Sequence, residues 1–208
     1  YYLDNTYGTG LSSLFELNCS EMNITIPDSE NYTSLDGYHE YSELAQRWKS
    51  NYNFDAIFLA GIMMQSAEIV SIFRENGITQ PIVDGGEFDD ADFFEIGNNK
   101  TEENVYTVSN YDTESTNPSF VALRKKFNER FGHDINIDAR QGYDALKVLA
   151  KAIEMAGSVR PENVANALRQ VKMWDEGAGP YTFDASGNIA NYTLFIKKTT
   201  DGVFKTIE

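Results

Sequence analysis

Three short strand-like runs, each followed by a helical stripe or a turn, constrain the fold of this 208-residue chain more than any other feature. Ala56-Ile57-Phe58-Leu59-Ala60 is continuously apolar, the pattern of a strand covered on both faces in a parallel sheet. Gly61 ends it, and Met64, Ala67, Val70 and Phe73 then recur at helical spacing until Asn76-Gly77, a good carboxyl-terminal cap. Pro81 to Val83 and Val105 to Val108 repeat the strand pattern, with a short helix expected at Asp92 to Ile96. Upstream, Tyr1-Tyr2-Leu3 reads as the tail of a strand, which suggests a missing amino-terminal part. It is followed by a loop Asp4 to Gly10, a helix from Leu11 to Asn18, a strand Ile24-Thr25-Ile26 and a helix Tyr38 to Tyr52 that buries Leu44, Ala45 and Trp48. Strands alternating with helices predict an α/β fold, a doubly wound and mostly parallel sheet of Rossmann-like type with helices on both faces.

Beyond Tyr111 the pattern changes. Asn117 as cap with Pro118 at the first helical position opens a helix whose stripe is Phe120, Leu123, Phe127 and Phe131, closed by Gly132. Two more helices follow, Ala139 to Met155 and Pro161 to Val171, with no strand between them to bury their stripes. Phe120, Phe127, Phe131 and Leu146 are therefore expected to need a covering segment. The chain ends in β-structure: Tyr181 to Phe183, a turn Asp184 to Asn188, Tyr192 to Ile196, the hairpin turn Asp201-Gly202, and Val203 to Ile207.

Charge and motifs exclude several functions. Lys and Arg number 17 against 32 Asp and Glu, a net charge of −15, so the chain repels nucleic-acid phosphates and anionic membrane surfaces. No apolar run approaches the ~20 residues that span a bilayer, so no direct membrane insertion is expected. Cys19 is alone and His39 and His133 are far apart, leaving no metal cluster and no triad. The hydrolase, zinc-protease and phosphate-loop signatures are absent. Gly8-Thr9-Gly10-Leu11-Ser12-Ser13 has Ser13 where a dinucleotide fingerprint has its third glycine, which leaves a nucleotide-dependent enzyme as an alternative but implies no cofactor. The turn Asp184 to Asn188 lacks the bidentate Glu of a calcium loop.

The stretch Pro81-Ile82-Val83-Asp84-Gly85-Gly86-Glu87-Phe88-Asp89-Asp90 carries most of the functional signal. A strand runs out into a glycine turn crowded with carboxylates, at the edge where ligands collect in open α/β sheets. Glu87, Asp84 and Asp89 could face a cationic group, with Glu87 expected to be the principal ligand-facing carboxylate and Asp84 and Asp89 held back as turn and cap residues, while Asp89 or Asp90 caps the helix that follows. Ile62 and Met63, just past the Ala-Gly strand end, are expected to line the same cleft, with Met64 opening the buried stripe. Trp174 falls in a loop, and Tyr143 opens a helix where core packing is expected.

Taken in order, Asp4-Asn5-x-Tyr7-Gly8-x-Gly10, Asp55 to Gly61, Pro81 to Asp89, Gly142-Tyr143-Asp144-Ala145 and Gly179-Pro180-Tyr181-Thr182-Phe183-Asp184-x-x-Gly187 resemble the type I periplasmic-binding-protein family. The nearest branch is that of the leucine/isoleucine/valine-binding proteins. The resemblance implies two α/β lobes that close on a small amino-acid-like or amide ligand, without catalysis. It also implies a periplasmic or extracellular setting, a signal peptide or lipid anchor in the full-length protein, and the membrane permease of an ABC importer as partner. It assigns residues 1–111 to the second lobe, 112–175 to a helical segment crossing to the first lobe, and 176–208 to a terminal hairpin returning to the second. In the family an acidic residue in the glycine turn takes the ligand ammonium. Glu87 matches it best, although an ungapped alignment places Gly86 there; Asp89 is the next carboxylate. Ile62 stands where an aromatic contact is usual. An extracellular ligand-sensing receptor domain remains the alternative role, and the sequons beginning at Asn18, Asn23, Asn31, Asn99 and Asn191 lean toward it.

Overall fold

A computed structural model describes residues 1–97, 103–110, 112, 114–174, 181–191 and 193–207. Two compact units result, Tyr1–Ser109 with Phe195–Glu208, and Asn110–Leu194. The first unit alternates strand and helix: β1 (Tyr2–Leu3), α1 (Thr6–Glu21), β2 (Asn31–Tyr32), α2 (Tyr38–Asn51), β3 (Ile57–Leu59), α3 (Met63–Glu75), β4 (Ile82–Asp84), α4 (Asp92–Ile96) and β5 (Val105–Ser109). It is completed by β6 (Phe195–Thr200) and β7 (Val203–Thr206). The second contains α5 (Pro118–Phe131), α6 (Ile137–Ala156) and α7 (Pro161–Leu168).

The apolar runs pair as expected. β3, β4 and β5 are parallel neighbours, with Ile57 opposite Ile82 and Ile82 opposite Val105. The hairpin β6–β7 adds two antiparallel strands at the β5 edge. Asp201 and Gly202 both take positive φ, 54° and 73°, the primed turn that matches strand twist. On the other side β1 and β2 pair in parallel, and an isolated bridge from Tyr2 to Ala60 ties them to β3. Alternation along β3 sends Ile57 and Leu59 into a core with Ile69, Val70 and Phe73 of α3 and Leu44 and Trp48 of α2. Phe58 faces the other way and stacks on Phe15 of α1, ring centroids 4.0 Å apart. Helices thus cover both faces, the arrangement of a doubly wound sheet.

Two local expectations are overturned near the amino terminus. Asp4 to Gly10 is not a loop: Asn5 caps α1 by accepting from the Gly8 N–H at 2.8 Å, and both glycines are helical. A Cβ on Gly8 would collide with the Leu3 carbonyl, so Gly8 serves close helix–strand packing rather than a phosphate. Ile24 to Ile26 is not a strand either. The Ile24 N–H is used to close α1 on the Cys19 carbonyl, and the strand forms later, at Asn31–Tyr32. There the Asp4 N–H finds the Tyr32 carbonyl at 2.7 Å.

In the second unit, α5 begins with the Asn117 side chain accepting from the Ser119 and Phe120 N–H groups and ends at Gly132 with φ 78°. α6 is capped by Asn136 and ended by Gly157 in the left-handed region. Instead of one core there are three small clusters among the described residues, centred on Phe120–Leu123–Ile135, Val148–Val171–Trp174 and Ala152–Val164–Ala167. Phe120 is buried within its own unit, contrary to expectation, whereas Phe131 and Leu146 are exposed. Tyr143, expected in the core, is exposed at 38%, and Trp174, expected in a loop, is buried on a bridge to Tyr181.

Residues 181–191 stay with these helices rather than with the terminal hairpin, for a visible reason. Tyr181 Oη donates to Asp144 Oδ2 at 2.7 Å and accepts from Arg140 Nη2 at 3.0 Å, while Arg140 Nη1 donates to the Asn110 carbonyl at 2.7 Å. Arg140 and Asp144 are both buried, so this network needs each member in place. Tyr192, which opened an expected strand, and residues 175–180, which include Gly179-Pro180 of the resemblance motif, lie outside the described residues.

Candidate functional site

Parallel strands send their carboxyl ends to one edge of the sheet, and in the first unit β1, β3 and β4 deliver Tyr7, Gly61 to Met63 and the turn Asp84 to Asp89 there. The turn is organised from within. Asp84 closes β4 and is completely buried; its Oδ2 accepts from the backbone N–H groups of Gly86, Glu87 and Phe88 at 2.8, 2.7 and 3.1 Å. Thr107 Oγ1 on β5 adds a fourth bond at 2.8 Å. Burial pushes the Asp84 carboxyl up to about 6, while the backbone and hydroxyl donors oppose that push and keep it from rising further. Gly86 holds φ 133°, which only glycine adopts readily, and Phe88 anchors the far side in the core against Phe93. Glu87 is thereby left exposed at the rim.

Tyr7 carries no role of its own in the sequence motif that contains it, yet the structure gives it a place in this cluster. Its phenol is pushed well above the ordinary value, first by burial and then by the carboxylates of Asp84 and Glu87, with Tyr32 contributing last. A signal existed in the sequence: Tyr7 follows β1 directly, so the parallel arrangement alone brings it to the same edge. Tyr32, wholly buried beneath Gly61, has its hydroxyl pushed up to about 12 by burial; Ser66 nearby partly offsets this, although the two do not reach hydrogen-bond geometry. A Cβ on Gly61 would run into the Tyr32 hydroxyl and stand 2.6 Å from Ser66 Oγ, so the strand end requires glycine.

The remaining expected residues divide. Ile62 is 43% exposed in extended backbone at the amino end of α3. Met63 is half-buried and packs against the core, whereas Met64, expected to open the buried stripe, is 67% exposed. At ~100° per residue, Met63 falls inside the arc of Ser66, Ala67, Val70 and Phe73, and Met64 beyond it. Asp89 is held back from the rim, by an ion pair rather than as a helix cap. Its Oδ2 accepts from the fully buried Lys197 of β6 at 2.6 Å and from Ser109 Oγ. Asp90 stands one residue before Ala91, the cap of α4, and its side chain accepts from the Asp92 N–H at 3.0 Å.

No group of three or more His, Cys, Asp or Glu that could hold a metal occurs among the described residues. Nor is any described helix long and apolar enough to cross a membrane. A cavity of about 660 Å³ lies elsewhere in the first unit, lined by Tyr1, Phe15, Trp48, Phe54 and Phe58, and no residue of the glycine turn borders it.

Comparison with known proteins matches residues 1–202 to a family model described as periplasmic binding protein. Among solved structures, a leucine-binding protein from Thermotoga maritima is similar at 24% identity and a TM-score of 0.87, covering 99% of this chain and 57% of that one. An ABC transporter substrate-binding protein from Desulfitobacterium hafniense, in complex with Leu, is 26% identical with a TM-score of 0.78, covering 100% and 58%. A branched-chain amino acid transporter substrate-binding protein from Streptococcus pneumoniae, in complex with isoleucine, is 21% identical with a TM-score of 0.84, covering 99% and 58%. The chain therefore spans less than three fifths of the length of these structures.

Proposed function

Because the chain belongs to the periplasmic binding protein family, whose members bind ligands and perform no catalysis, we propose that it is part of an extracytoplasmic solute-binding protein of an ABC importer. The ligand is a small amino-acid-like or amide molecule clamped between two lobes, and the Glu87 turn supplies the carboxylate for its ammonium group. One observation carries this reading: three consecutive N–H groups converge on Asp84, which curls the turn and leaves Glu87 exposed at the carboxyl edge of a parallel sheet. Glu87 there shares its surroundings with the Tyr7 phenol. The leucine and isoleucine complexes of the similar proteins support the ligand class. Ile62 and Gly86 complete this wall, the first as apolar lining and the second as the glycine that sets the curl. A membrane permease is the partner that follows, and a lipid anchor is one means of keeping the protein near it.

An ammonium taken out of water needs a charged acceptor, because an unpaired charge in a closed cleft is very costly. In a protein carrying this chain and a complete opposing lobe, Glu87→Gln should weaken binding of L-leucine or L-isoleucine by about 2–5 kcal/mol. Calorimetric titration measures it. Unchanged affinity would remove Glu87 from the site, and absence of binding to either amino acid by the parent protein would remove the ligand class.

A further inference from the structure

The turn that presents Glu87 has its own anchor, and we infer that Asp84 is the positioning residue that holds Glu87 for an ammonium ligand and makes that hold depend on its own charge. The inference rests on the ligand-facing role proposed for Glu87.

Geometry carries it. Three successive backbone N–H groups can aim at a single oxygen only if the chain curls tightly, and Gly86 at φ 133° allows that curl. Space favours the same residue, since a Cβ at Gly86 would press on the Val108 carbonyl at 3.2 Å. All four donors go to Oδ2, and Oδ1 is buried without a hydrogen-bond partner. Burial of Asp84 comes from its place in β4 and disfavours its charge relative to the unfolded chain whether the turn is open or closed, whereas the three amide bonds exist only in the closed turn. Charge-assisted bonds are roughly twice as strong as neutral ones, so within the folded unit an ionised Asp84 holds the turn closed more firmly than a protonated one.

The groups around Asp84 leave it as the titrating member. Tyr7 faces it from α1 and Tyr32 from β2, and both phenols are pushed up, so they stay uncharged throughout the range in which Asp84 titrates. Glu87 lies in the turn itself, Thr107 comes from β5, and the Asp89–Lys197 ion pair stands beyond, joining the same loop to β6. The Asp84 carboxyl, raised to about 6 by burial, changes charge at mildly acidic pH.

Backbone amide NMR on the chain as it stands tests the anchor without any ligand. Between about pH 4.5 and 8 the Gly86, Glu87 and Phe88 amides should shift together with one midpoint near 6, since all three report one carboxylate. Asp84→Asn keeps an acceptor oxygen, so it should abolish the midpoint while the amides stay protected from exchange. Asp84→Ala should speed their exchange by about tenfold or more, the loss of roughly one hydrogen bond's worth of protection. In the two-lobed protein, L-leucine affinity should fall by about tenfold between pH 7 and pH 5, and this fall should vanish in Asp84→Asn. Amides that do not titrate together, or that titrate equally in Asp84→Asn, would overturn the anchor. A pH-independent leucine affinity in the parent protein would overturn its coupling to the ligand. Failure of Glu87→Gln to weaken binding is a separate result that strikes the Glu87 assignment while the amide titration still decides the anchor.

Discussion

Removing Asp89 should destabilise the first unit far more than its position in a surface-edge loop suggests. Its partner is the reason: Lys197 has no exposed side-chain surface and its Nζ lies 2.6 Å from Asp89 Oδ2. At an effective dielectric of about 20, two unit charges at that separation attract by roughly 6 kcal/mol, and desolvating both ions cancels most of it. Deleting one partner forfeits the attraction but leaves the other ion's desolvation in place. Asp89→Ala should therefore cost about 3–5 kcal/mol, whereas the double change Asp89→Ala with Lys197→Met should cost much less than the sum of the two single changes.

The two tryptophans make the measurement clean, because Trp48 lies in the first unit and Trp174 in the second. In a Trp174→Phe background, urea unfolding followed by fluorescence reports the unit that holds the ion pair. With a slope of about 2.5 kcal/mol per molar, the single substitution should lower the midpoint by roughly 1.5 M. A loss under about 1 kcal/mol, or additive single and double substitutions, would refute the reasoning.

Asp84 should give the first unit an unusual pH dependence. Its folded value of about 6 lies above the ordinary 3.8, so the stability it contributes is fully present below about pH 4 and is lost as pH rises through 6. At 1.36 kcal/mol per unit the difference is about 3 kcal/mol, and Asp84→Asn should gain that much on the parent between pH 4 and 7 in paired urea titrations. A gap that does not change with pH would contradict it. Gly61→Ala should destabilise by about 1–3 kcal/mol, since the new methyl meets the Tyr32 hydroxyl in a filled space. Thermal unfolding checks it, and combining it with Tyr32→Phe should restore part of the loss.

What was legible in the sequence had a local cause. The apolar run around Ile57–Leu59 could only be a strand covered on both faces, and Asn117-Pro118 with Gly132 bounded α5 because caps act within a turn of the helix they end. Asp201-Gly202 specified its hairpin for the same reason: two residues that tolerate positive φ suffice. The parallel alternation then brought Glu87, Ile62 and the Gly61 strand end to one edge without any knowledge of contacts.

Tertiary structure decided whatever depended on a distant partner. Ile24 to Ile26 has the better strand composition, yet Asn31–Tyr32 is the strand because β1 offers its unpaired groups there. The position of Glu87 after Gly85-Gly86 singled it out among the carboxylates of the turn, but what holds Asp84 and Asp89 back is set by the fold. Asp84 turns inward to three amides and Thr107, Asp89 meets a lysine 108 residues away, and Glu87 is left at the rim. A carboxylate's role follows from the donors that surround it, and here those donors come from β5, β6 and the turn's own backbone, which sequence neighbours do not reveal.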